Sequence, residues 1–348
     1  MGADVTGIDV PRVSAWLEAN VKGSAAPFTY ELIAGGRSNL TFRVTDAAGG
    51  QWALRRPPVH HVLPTAHDMV REHTVLSAVG PAGIPVPAAV ALCSDETVNE
   101  RPFYVMSFVD GHILRDASSA EAELELEARG HVGHHLATTL AQLHHLDPDS
   151  IGLGGLARHD GYIERQLRRW RGQYEQMHVE GVEHGGLVEE VGEALATRIP
   201  PQQRVSVVHG DYRLDNTVLD DDGRVRAILD WEICTLGDPL ADIGLLCVYW
   251  ADPDDNQVAL VGNAPTTAPG FASRDEVLAE YAAASGLDCS EVPYYMAFGY
   301  WKLACILQGV YARYVAGATA GDAGPVDSFP AHVTALAESA RARLGSLS

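Results

Sequence analysis

The sequence predicts an α+β chain in two lobes, a small antiparallel-sheet lobe with one long helix over residues 1–108 and a larger, mainly helical lobe over 109–348. Three observations carry this expectation. Short β-rich runs separated by turn residues crowd the first third of the chain. Helical apolar periodicity dominates from Asp110-Gly111 onward. The 348 residues suffice for two lobes with cores of their own.

The elements follow in order. A short helix is expected over 10–21, then strands over 28–33, 40–45 and 51–55, the last two joined by Asp46-Ala47-Ala48-Gly49-Gly50. A helix over 66–79 places Met69, His73 and Leu76 on one side. Gly83-Ile84-Pro85-Val86-Pro87 breaks the chain, and strands follow over 88–93 and 103–108. In the second lobe the helix expected over 130–146 is amphipathic through Val132, Leu136, Leu140 and Leu143. Further helices are read over 163–179, 187–198, 238–249, 274–285, 294–315 and 331–344. Between them, strands over 205–208, 217–219 and 225–229 surround the turn Asp220-Asp221-Asp222-Gly223.

Composition narrows the function. A net charge of −21 disfavours nucleic acid, whose binders present a basic face, and anionic membranes. The run Glu121, Glu123, Glu125, Glu127 reads as a solvated helix face. Five scattered cysteines without C-x-x-C spacing imply a reducing compartment with neither a disulfide framework nor a zinc site. No signal-peptide pattern is evident and no apolar run is long enough to span a bilayer, so a cytoplasmic location is expected. No G-x-S-x-G elbow supports a serine hydrolase. The pairs His60-His61, His134-His135 and His144-His145, and the one-turn spacing of His131 and His135, lack a metal-site companion motif and read as surface or capping histidines.

The chemistry-bearing segment is His209-Gly210-Asp211-Tyr212-Arg213-Leu214-Asp215-Asn216, followed by Ile228-Leu229-Asp230-Trp231-Glu232. Phosphoryl transfer needs a carboxylate to orient and deprotonate the attacking hydroxyl, and oxygen ligands for Mg²⁺. Asp211 and Asn216 keep the Asp-x-x-x-x-Asn spacing that supplies both in protein kinases, and Asp230 follows an apolar strand as a second metal aspartate would. No D-F-G or A-P-E segment follows, which argues against a protein kinase.

These residues resemble the aminoglycoside phosphotransferase family, which has a protein-kinase-like fold, over nearly the whole chain. Leu54-Arg55-Arg56-Pro57-Pro58, Arg71-Glu72-His73, Gly237-Asp238-Pro239-Leu240-Ala241-Asp242 and Gly309-Val310-Tyr311-Ala312-Arg313-Tyr314 resemble the branch that also occurs fused to acyl-CoA dehydrogenase domains. The resemblance implies Asp211 as catalytic base, Asn216 and Asp230 as magnesium ligands, and His209 as a brace of the loop. Asp238 and Asp242 would hold backbone amides beneath it. The cofactors implied are ATP, with GTP as the alternative, and Mg²⁺, held between the lobes. The partner implied is a small-molecule hydroxyl acceptor, and a homodimer is left open.

In the first lobe, the turn Gly35-Gly36-Arg37-Ser38-Asn39 places Ser38 and Asn39 as phosphate contacts. The third strand departs from the general pattern: Trp52-Ala53-Leu54-Arg55-Arg56 has no lysine for the phosphates. Arg55 is the expected substitute, with Glu72 as its ion-pair partner and Arg56 on the opposite face. Met106 and Phe108, at the connection between lobes, are the candidate adenine contacts. For the acceptor, Asp215, Glu232, Tyr162, Arg165, Trp301 and Lys302 are candidates, and the Arg-rich segment 162–171 favours a locally anionic one. The missing strand lysine also motivates an alternative, a non-catalytic nucleotide-binding protein.

Overall fold

The computed structural model describes residues 5–34, 39–59, 68–180, 182, 184–252, 264–317 and 328–347. Two compact units emerge, one of Met1–Asp110 with Leu229–Glu232, the other of Gly111–Ile228 with Ile233–Ser348.

The first unit contains α1 (Val10–Asn20), β1 (Thr29–Ala34), β2 (Leu40–Thr45), β3 (Gln51–Arg56), α2 (Met69–Val79), β4 (Ala89–Cys93), α3 (Glu96–Asn99) and β5 (Phe103–Ser107). Its strands form one antiparallel sheet in the order β1-β2-β3-β5-β4. Side chains alternate between sheet faces with period two, so the strands build two environments. Phe42, Val44, Leu54, Phe103 and Val105 cluster with Val13 and Leu17 of α1 in a dry core. Arg55 and Tyr104, which face each other in register across β3 and β5, occupy the other face with Glu72 of α2. Arg56 returns to the first face, where its guanidinium donates to the carbonyls of Pro57 and Gly7. The helix expected from residue 66 is described from Met69, with Asp68 capping it through the Arg71 N–H.

The second unit contains α4 (Ala117–Glu123), α5 (Leu126–His145), α6 (Tyr162–Gln176), α7 (Leu187–Thr197), β6 (Ser206–Val208), β7 (Thr217–Leu219), β8 (Val225–Ile228), β9 (Thr235–Gly237), α8 (Leu240–Tyr249), α9 (Arg274–Ser285), α10 (Val292–Val315) and α11 (Phe329–Gly345). The stripe Val132, Leu136, Leu140 and Leu143 is fully buried, as its spacing requires. α5 starts four residues before the expected position, because Gly130 is accommodated inside the helix. The acidic run is exposed but divided between two helices at Leu124, whose side chain is buried. α8 begins at Leu240 rather than 238, with Pro239 at its cap. β9 has no counterpart in the sequence reading; three residues pairing with β6 leave too short a pattern to detect. Gly111 has φ +150°, and a Cβ there would lie 2.3 Å from the Leu219 carbonyl oxygen, so only glycine allows the His112–Leu219 bridge that follows.

Among the described residues no helix is long and apolar enough to cross a membrane. No three His, Cys, Asp or Glu side chains among them gather as a metal centre. His134 pairs with Glu280, and the His131 and His135 rings lie 6.3 Å apart. His60-His61 falls outside the described residues.

Candidate active site

In the second unit, β6 ends at Val208 and the chain turns at Gly210, whose φ of +85° is a left-handed conformation suited to glycine. The loop is held from below. Asp242 on α8 accepts the N–H of His209 at 2.7 Å and of Gly210 at 2.8 Å. His144 Nε2 lies 3.2 Å from the same carboxylate, and His144 Nδ1 is 2.7 Å from the Tyr281 hydroxyl. Burial opposes ionisation of Asp242, but these hydrogen bonds and the adjacent imidazoles hold its carboxyl below the usual range. Asp238 differs from expectation: it accepts the Leu240 N–H and the Tyr295 hydroxyl, so it caps α8 and anchors α10.

Above this brace, the Asp211 N–H donates to His209 Nδ1 at 3.2 Å, which gives His209 its role as a support of the loop. Asn216 sits in a single 3₁₀ turn, Leu214–Asn216. Its Nδ2 donates to the Asp211 carbonyl at 2.8 Å and to Asp211 Oδ2 at 2.9 Å. The two ends of the Asp-x-x-x-x-Asn motif therefore meet. The Arg213 guanidinium approaches Asp211 and Asp215 at 3.5 and 3.4 Å and stacks over Tyr249. Asp211 remains about a third accessible at its side chain.

The first unit gathers a second set. Arg55 Nε donates to Glu72 Oε2 at 2.9 Å, and the Tyr104 hydroxyl donates to the same oxygen at 3.0 Å. Asn39 Nδ2 bridges Glu72 at 2.9 Å and Glu232 at 3.1 Å. Arg55 also pairs with Asp230, and Glu232 lies 3.9 Å from it. One guanidinium thus faces three carboxylates. Burial lowers the proton affinity of Arg55, but the charges of Glu72 and Asp230 more than offset this and raise it. Burial pushes Glu72 up to about 7. Asp230 has φ +62°, a left-handed conformation uncommon outside glycine, and such strain often marks functional sites.

The sequence-predicted residues fall into these two sets. Asp211 and Asn216 belong to the second unit; Asn39, Arg55, Glu72 and Asp230 belong to the first. Met106 is buried in β5 opposite Ala53, and Phe108 lies beneath the Arg43 guanidinium at 4.6 Å. Ser38 lies outside the described residues. Three acceptor candidates do not face solvent. Trp301 Nε1 donates to Val188, Lys302 Nζ to Gly210, and the Tyr162 ring packs against the Gly237 backbone. Each lies on a helix face turned into the core, which a sequence without contacts does not reveal. Tyr104, Thr41 and Tyr281 were not anticipated, and His144, expected as a surface or capping histidine, is instead fully buried between Asp242 and Tyr281; these placements depend on strand register and on contacts up to 137 residues apart.

The donor set suits a magnesium-nucleotide. Hard oxygen ligands dominate, the carboxylates around Arg55 exceed its charge, and the buried Asn39 Oδ1 has no hydrogen-bond partner among the described residues. Mg²⁺ characteristically takes only one or two protein ligands besides phosphate and water, so a three-carboxylate cage is not required.

A five-stranded sheet with a buried Arg–Glu pair, and a helical unit carrying a braced Asp-x-x-x-x-Asn loop, define a kinase-like fold. The chain belongs to the phosphotransferase enzyme family (APH), whose model matches residues 29–286. It is 36% identical over 294 residues to acyl-CoA dehydrogenase family member 11 of Gallus gallus. That match covers 81% of this chain but only 36% of the relative, so the chain spans about a third of that protein. Among solved structures, a Ralstonia eutropha JMP134 protein assigned as an aminoglycoside phosphotransferase superposes with a TM-score of 0.80 and 30% identity, covering 97% of this chain and 98% of the other. A spectinomycin phosphotransferase in complex with ADP and spectinomycin shares the fold at a TM-score of 0.62 and 12% identity, covering 97% and 98%.

Proposed function

We propose that the protein is an ATP-dependent kinase of small molecules, moving the γ-phosphate to an acceptor hydroxyl. The observation that carries this reading is the Asp211–Asn216 hydrogen bond on a loop whose preceding amides are fixed by Asp242. Residues 1–108 bind the nucleotide, and 109–348 supply the base and the acceptor surface. Asp211 accepts the proton of the acceptor hydroxyl as its oxygen bonds to the γ-phosphorus and the bond from that phosphorus to the leaving ADP oxygen breaks. Asn216 orients Asp211 through Nδ2; Asn216 and Asp230 are the residues that would hold the magnesium ion. Magnesium, when bound with ATP, neutralises phosphate charge. Arg55, fixed by Glu72, takes the place of the strand lysine, with Asn39 beside it. Catalysis rests on positioning and fixed charge.

The test is an ATP-consumption screen of the purified protein over aminoglycosides, hydroxyacyl-CoA esters, sugars and amino alcohols. Turnover with at least one class, abolished by Asp211→Asn, is the expected result. ATP binding without hydrolysis or transfer across the whole panel would instead support a non-catalytic nucleotide-binding protein.

A further inference from the structure

Lys302 is placed where the reaction needs no surface charge. It lies on α10, is 7% exposed, and donates from Nζ to the Gly210 carbonyl at 2.8 Å. Its ammonium also sits 5.6 Å from the centre of the Trp170 ring. Burying an ammonium costs several kcal/mol unless its position returns something. A neutral amide would serve a lone carbonyl equally well, and an apolar side chain would pack more easily.

The peptide that Lys302 grips joins Gly210 to Asp211. Its oxygen accepts from Lys302, and its N–H donates to His209 Nδ1. The two preceding N–H groups, of His209 and Gly210, donate to Asp242. Three consecutive peptides are therefore pinned by one anion from α8 and one cation from α10. A cavity of about 10 Å³, lined by Lys302, Gly210, Asp242, Tyr162, Ala241 and Phe298, adjoins the ammonium. That volume is at the threshold for a single water, which would satisfy a further ammonium donor.

We propose that Lys302 is a positioning residue for phosphoryl transfer, clamping the Gly210–Asp211 peptide so that the Asp211 carboxylate is aimed and held near a fixed positive charge. The charge matters as well as the hydrogen bond: burial lowers the proton affinity of Lys302 overall, and Asp211 and Asp242 offset part of that loss in favour of the charged form. The proposal rests on the kinase reading only in taking Asp211 as the base.

The test uses Lys302→Met, which removes donor and charge, and Lys302→Gln, which keeps a neutral donor. Two readouts are taken on the full chain: steady-state magnesium-dependent ATP hydrolysis with water as acceptor, and amide hydrogen exchange of the protein without nucleotide. Lys302→Met should lower kcat roughly tenfold to a hundredfold, the size expected of a misplaced catalytic group, with KM for ATP unchanged. Lys302→Gln should fall between it and the parent. Exchange should accelerate over residues 209–213 and stay unchanged in α8 and in the remainder of α10. Unchanged kcat in a folded Lys302→Met protein would overturn the proposal. So would a joint loss of kcat, ATP affinity and protection across the whole second unit, in both variants. If the parent neither hydrolyses ATP nor transfers phosphate to any acceptor of the panel, the kinase reading fails by itself, and exchange alone decides the clamp: local acceleration supports it and unaltered exchange overturns it.

Discussion

Arg55 Nε donates to Glu72 Oε2 at 2.9 Å, with the glutamate 1% exposed at its side chain. The guanidinium stands on the third strand where the general kinase pattern has lysine, and its fork allows what an ammonium does not. One edge engages Glu72 while a terminal nitrogen reaches Asp230. The helix glutamate therefore keeps a cationic partner without the lysine.

Replacing Arg55 separates structure from binding. Arg55→Ala leaves a buried carboxylate unpaired and should destabilise the protein by about 3–5 kcal/mol in urea unfolding. Arg55→Lys keeps the charge but cannot span both carboxylates, so stability should fall less. ATP affinity measured by calorimetry should weaken by about 1.5–3 kcal/mol, the worth of one hydrogen bond to a charged group. Unaltered ATP affinity in both variants would remove Arg55 from the nucleotide site.

Asp242 provides a pH-dependent signature. Its folded-state proton affinity is depressed below the ordinary carboxylate value of 3.8. A depressed carboxylate contributes stability that is fully present above its unfolded pKa and is lost as pH falls through the folded one. Asp242→Asn should therefore be markedly less stable than the parent at neutral pH, with the gap narrowing below about pH 4. Thermal unfolding of both proteins between pH 3 and pH 7 measures this, and a gap independent of pH would contradict the assignment.

How far the sequence revealed this arrangement depends on the range of the interaction. Asp211 and Asn216 are five residues apart, and Arg55 and Glu72 are 17 apart, so spacing and period sufficed. Strand alternation also placed Arg55 and Arg56 on opposite faces. Lys302 and Trp301 stand among the acceptor candidates in the sequence, because a charged or amphipathic side chain on a long apolar helix carries no local mark of burial. Their partners, Gly210 and Val188, lie 92 and 113 residues away. Asp238 and Asp242 look alike in Gly-Asp-Pro-Leu-Ala-Asp, yet only Asp242 reaches the loop, a distinction set by one helical turn.

Gly210 couples backbone conformation to the Asp211 carboxylate. Its φ is +85°, and a Cβ would lie 3.1 Å from Ile233 Cγ1. Gly210→Ala should cost about 1–2 kcal/mol for the left-handed conformation alone. Relief by rotating the peptide would carry Asp211 with it, so kcat should fall by up to roughly a hundredfold. Chemical denaturation and ATP hydrolysis on one preparation separate the two effects. Full activity in a destabilised Gly210→Ala protein would show that the loop tolerates the rotation.

Asp230 carries two features that cost stability in the absence of a cation: a left-handed backbone at φ +62°, and a carboxylate sharing Arg55 with Glu72 and Glu232. Three anions around one cation repel each other, and a divalent metal would relieve that repulsion. Asp230→Asn keeps the shape and an acceptor for Arg55 while removing one charge, and asparagine tolerates the same backbone. The substituted protein should be at least as stable as the parent without ligand. Magnesium-ATP at a hundred times its dissociation constant should stabilise the parent by about 2.7 kcal/mol and Asp230→Asn by far less at the same concentration. Scanning fluorimetry with magnesium alone, ATP alone and both distinguishes a metal ligand from a simple nucleotide contact. Equal stabilisation of parent and variant by the magnesium-ATP pair would exclude Asp230 as a ligand, whatever its strain.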